Sequence, residues 1–72
     1  MMNREVVESL RVEFPEGTRV ELIRMNDEYT RLKQGDKGTV RCVDDMGTIH
    51  ISWDNGSSLG VVYGEDSCRK ID

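Results

Sequence analysis

The chain has 72 residues, with 14 acids against 10 bases and a net charge of −4. That length allows one small domain, which hides roughly 60% of its unfolded surface and draws about 3–5 kcal/mol from a single core, so there is little room for a deep catalytic cleft. The charge has the wrong sign for gripping a phosphate backbone. No apolar run approaches the roughly 18–20 residues that cross a bilayer.

The first ten residues, "MMNREVVESL", lack the apolar centre of a signal peptide. The expected location is therefore the cytoplasm. Residues 3–13 read as a short helix. Asn3 suits the N-cap, and Glu5 sits in the first turn, where the helix dipole favours an acid. Val6, Val7, Leu10 and Phe14 recur at helical spacing, and Pro15 ends the run. A helix this short is marginal alone. Either it caps an open end of the domain, or it is an arm that binds a partner or a second copy.

After Gly17 the period changes from helical to alternating. Residues 18–25, "TRVELIRM", place Val20 and Leu22 on one face. A long excursion, "NDEYTRLKQGDK", follows over 26–37. Strands then alternate at Val40 and Cys42, at Ile49, Ile51 and Trp53, and at Leu59, Val61 and Tyr63. A last short strand, "CRKID", ends near Ile71. Such alternation marks half-buried antiparallel strands.

Turn chemistry fixes the register. A four-residue loop over 44–47 would set Val43 against Thr48, Cys42 against Ile49 and Val40 against Ile51, with Arg41 opposite His50. At "WDNGS", a two-residue Asn-Gly turn would throw the apolar residues of its two strands onto opposite faces. A three-residue loop, Asp54-Asn55-Gly56, keeps them together, with Gly56 left-handed and a bulge. Trp53 then faces Ser57, Ile51 faces Leu59, and Ile49 faces Val61. The expected core is Val20, Leu22, Val40, Cys42, Ile49, Ile51, Trp53, Leu59, Val61 and Ile71. The Trp53 indole N–H should find an acceptor near the rim.

The expected architecture is mainly β: a five-stranded SH3-like barrel over residues 15–72, with an N-terminal helix or arm over 1–14. Closing the sheet would remove the unpaired edges that invite aggregation.

Three stretches also carry a resemblance: Phe14-Pro15-x-Gly17-Thr18-Arg19-Val20, Gly35-x-x-Gly38-Thr39-Val40, and Ile49-His50-x-x-Trp53-Asp54-Asn55-Gly56-Ser57. Over 14–71 the chain resembles a bacterial family known only as a domain of unknown function, found in Gram-positive bacteria and often in mobile elements. It is more loosely similar to the SH3-like Mind bomb-type domains of eukaryotic ubiquitin ligases, which bind peptides. That second likeness rests on Gly17, Arg19, Val20, Gly38, Thr39, Val40 and the Trp53–Gly56 hairpin. Most of these are turn or core positions, so the resemblance implies fold more than function.

Chemistry-bearing residues are few. The single His50 is placed nearest Arg41 and Ser52 on a solvated face. A histidine base needs a partner acid and a cleft, so neither an enzyme nor a catalytic residue is expected. Asp44-Asp45, Asp54 and Glu65-Asp66 match no calcium loop and read as turn formers. Cys42 and Cys68 form no CxxC and read as reduced, buried thiols. Neither metal nor cofactor is expected.

The long loop mixes Met25, Tyr29, Arg31, Lys33 and Lys37. Tyr29 and Tyr63 occupy the places where aromatics of SH3-like domains line a peptide groove. Tyr29, Tyr63, Met25 and Arg31 are therefore the candidate peptide-binding residues, although both tyrosines could instead pin the loop to the barrel. The expected function is a small protein- or peptide-binding adaptor. Nucleic-acid binding through residues 31–41, as an accessory protein of a mobile element, is the alternative that the net charge disfavours. A tiny enzyme around His50 is the remote one. Self-association through the helix stays open.

Overall fold

In the computed structural model, residues 3–26 and 30–71 are described. One helix, α1 (Arg4–Glu13), precedes five strands: β1 (Arg19–Arg24), β2 (Lys37–Val43), β3 (Thr48–Trp53), β4 (Val61–Val62) and β5 (Ser67–Lys70). The Asn3 side chain accepts a hydrogen bond from the Glu5 N–H, as expected of the N-cap. Docking then stabilises the helix: Leu10 and Phe14 enter the core and Val7 is buried. Each such side chain is worth about 1.5–3 kcal/mol when removed from water. Arg11 pins the helix to the β2–β3 hairpin, donating to the Val43 carbonyl at 3.0 Å and to Asp45 at 2.7 Å.

The strands form one antiparallel sheet in the order β4-β3-β2-β1-β5. β4 and β5 are its two edges, so the sheet is open where the expected barrel would close. At "WDNGS" the bulged three-residue turn is present. Gly56 has φ +94°, Trp53 N–H donates to Ser57 at 2.9 Å, and Ile49 pairs with Val61.

The other hairpin differs from expectation. Val40 does face Ile51, but Cys42 then pairs with His50 and Val43 with Ile49. Arg41 is an extra residue, a β-bulge that sets two residues against one and reverses the alternation beyond it. Cys42 is therefore exposed, not core, and Val43 takes its place. Asp44 closes the turn with Thr48, leaving a three-residue loop over 45–47 in place of the expected four. Two further core expectations soften, since Leu59 and Ile71 are only half-buried. Leu32, from the long loop, is a core residue that alternation could not flag.

Trp53 explains the short fourth strand. Its indole donates to the Leu59 carbonyl at 2.7 Å. Leu59 is thereby held by a side chain and not by the ladder, and β4 is confined to two residues. Gly38 lies opposite Trp53. A Cβ there would sit 2.6 Å from Ile51 Cγ2, 2.9 Å from the Ser52 carbonyl and 3.0 Å from Trp53 Cε3. Gly38→Ala should therefore cost about 1–3 kcal/mol, the usual range for overpacking. Urea unfolding followed by Trp53 fluorescence reads it directly; an unchanged midpoint would mean that the indole does not lie on Gly38.

Candidate groove at the open edge of the sheet

A second bulge shapes a concavity beside the helix. In the β1–β5 pairing Leu22 faces Cys68 but Arg24 faces Ser67, so Ile23 is the extra residue. It is turned outward and is 38% exposed. Beside it a groove of about 750 Å³ runs between the C-terminal half of α1, the end of β1, and the two sheet edges. Leu10, Phe14, Ile49 and Val61 line it from the core. Ile23, Tyr63 and Cys68 line it as well, with Glu13, Arg24 and Asp66 as its charged groups.

Asp66 organises one end of this groove. One carboxylate oxygen accepts from Asn26 N–H at 2.8 Å and the other from Val62 N–H at 3.0 Å. It ties the outer side of β4 to the chain leaving β1, capping an amide that the ladder leaves unpaired. Arg24 donates to the Glu65 carbonyl at 2.9 Å. The β5 edge differs. Ile71 N–H donates to the Arg19 carbonyl and Arg69 pairs with Glu21. Alternation along an antiparallel ladder then turns the backbone groups of Cys68 and Lys70 away from β1, towards the open side.

The candidate residues from sequence divide. Tyr63 lines the groove and is 51% exposed. Met25 is half-buried against the core, and Arg31 is exposed; neither is among the groove residues. Tyr29 lies outside the described residues. Leu10, Glu13, Phe14 and Ile23 were missed as site residues. The adjacent apolar pair Leu22-Ile23 breaks strict alternation, and that break was the available signal for a bulge.

The other polar clusters bind within the fold. Arg19 forks onto both oxygens of Asp54, at 2.9 and 2.7 Å, and reaches Thr39 Oγ1 at 2.9 Å. Its hydrogen bond and charge hold the Asp54 carboxyl below its ordinary range. This fork joins the Thr-Arg-Val and Trp-Asp-Asn-Gly stretches to each other, which is a folding role for both. His50 Nε2 donates to Asp44 Oδ2 at 2.8 Å, so its partner is a carboxylate that the sequence reading did not name. That contact, with the Thr48 and Met46 amides, lowers the Asp44 pKa. Among the described residues no hydrogen bond links His50 to a serine or cysteine, and no group of side chains could hold a metal ion. No helix there is long and apolar enough to cross a membrane.

The fold and groove thus define a small open-sheet domain with one helix packed on it. The chain belongs to the family described as Domain of unknown function (DUF4314), whose model matches residues 3–71 and so takes in the helix as well as the sheet. No curated protein and no solved structure matches it.

The two thiols should behave differently. Burial, and secondarily the Glu13 charge, push Cys68 up to about 11. Since the thiolate is the nucleophile, iodoacetamide at pH 8 should modify exposed Cys42 well before Cys68, as read by mass spectrometry of the digested peptides. Equal rates would show that Cys68 is not shielded in the groove.

Proposed function

We propose that this domain is a non-enzymatic binding module that takes an extended protein segment into the groove beside α1. The observation that carries the reading is an apolar groove lying against an unclosed sheet edge. Leu10, Phe14 and Val61, almost wholly buried, form its apolar floor, and Tyr63 and Ile23 offer exposed anchors at its side. The outward backbone groups of Cys68 and Lys70 can pair with an added strand. Strand addition of this kind draws affinity from main-chain hydrogen bonds and specificity from pockets for alternate side chains. Exposed apolar surface rimmed by polar groups is the usual mark of an interaction site. We read the sheet itself as an SH3-like barrel whose seam is left open. Its five short antiparallel strands around one core, with the long connection after the first, support that reading.

Titration of the ¹⁵N-labelled protein with a panel of unstructured ten-residue peptides tests the proposal. Peptides with alternating apolar residues should shift the amides of Ile23, Tyr63 and Cys68. Tyr63→Ala should weaken them about tenfold, in keeping with an aromatic anchor, without altering the fold. Shifts centred instead on Arg31 and Lys33, or none with any peptide, would contradict it.

A further inference from the structure

We infer that the segment this groove accepts is cationic, carrying two basic residues spaced to meet Glu5 and Glu13; the inference rests on the peptide-binding reading above. A second concavity, lined by Glu5, Val6, Ser9, Leu10, Glu13 and Tyr63, shares its last three members with the main groove. The two form one trough along α1. Its helical wall is acidic because both cations of α1 are engaged elsewhere. Arg4 pairs with Glu8, and Arg11 is drawn to Asp45 and the Val43 carbonyl. Glu5 and Glu13 make no ion pair among the described residues. Across the groove the one cation, Arg24, donates to the Glu65 carbonyl. The Glu13 charge reaches into the groove, where it helps to raise the Cys68 thiol.

Apolar walls concentrate the field of such carboxylates towards an incoming ligand. Partner and trough are therefore complementary when the partner brings apolar side chains for Leu10 and Tyr63 and positive charge for the helix. Glu5 and Glu13 are eight positions apart on α1, about 12 Å along its axis at ~1.5 Å per residue. An extended chain covers that distance in about four residues at ~3.3 Å each. Basic residues four apart, which fall on the same side of an extended chain, fit the two acids.

Fluorescence anisotropy on the full chain, with ¹⁵N spectra recorded alongside to follow Tyr63, tests this with labelled ten-residue peptides of one apolar pattern. The panel carries two lysines four apart, two adjacent lysines, two glutamates four apart, or no charge, together with a ten-nucleotide single-stranded DNA. The spaced dilysine peptide should bind about fivefold tighter than the neutral one, as expected of two exposed ion pairs. That advantage should vanish in Glu5→Gln/Glu13→Gln and at 1 M salt. If neutral, acidic and basic peptides bind alike and shift Tyr63, the cationic inference falls while the groove reading stands. If no peptide shifts Tyr63, both fall. Preferential binding of the DNA, or occupation of the trough by a second copy in sedimentation at working concentration, overturns the inference.

Discussion

The Trp53 indole, laid across Gly38 and hydrogen-bonded to the Leu59 carbonyl, is the constraint on which the rest of the fold depends. The ring needs a position without a side chain beside it, and Gly38 supplies one. Its N–H is polar and almost buried, so it must be satisfied. The nearest solution, the Leu59 carbonyl, is taken from the stretch that would otherwise extend β4. β4 is also an edge strand, with no ladder to β5. The open side then becomes the place where apolar surface, a strand edge and the end of α1 meet. A packing requirement in the centre is thus accompanied by an apolar groove at the edge.

The polar network follows the same division. Where the chain has conspicuous motifs, its charged groups are used internally. Arg19 forks onto Asp54 across the sheet, Asp44 gathers two amides and His50, and Asp66 laces Val62 to Asn26. These contacts are largely solvent-exposed, and exposed pairs add little individually. Their effect is to fix turns and register. Among the described residues Glu5 and Glu13, on the wall of the trough, make no ion pair, and neither do Glu16 and Glu65 outside it. The charged groups thus divide between those that hold turns and register and those left on the helix wall.

The sequence displayed the fold well and the candidate groove poorly, for identifiable reasons. The helix boundaries follow from Asn3 and Pro15, signals that act locally. The turn at Gly56 could be worked out because only one loop length keeps Ile49, Ile51 and Val61 on one face. The bulges at Arg41 and Ile23 could not. Val-Arg-Cys-Val and Leu-Ile-Arg each admit two alternations, and tertiary packing chooses between them. That choice exposed Cys42, buried Val43, and turned Ile23 to the groove. Of the three expected peptide-binding residues that are described, Met25, Arg31 and Tyr63, Tyr63 alone lines the groove, whose other walls include α1. Helical periodicity says that Leu10 and Phe14 are buried, but not against what.

Amide hydrogen exchange tests the central claim, an open sheet latched by Trp53, most directly. The account predicts that the Trp53 indole N–H and the β2–β3 ladder amides exchange slowly, while the outward amides of Cys68 and Lys70 exchange orders of magnitude faster. If Cys68 and Lys70 are protected as strongly as Val40 and Ile51, the sheet is closed in solution. The edge, the groove and the account built on them would then be contradicted.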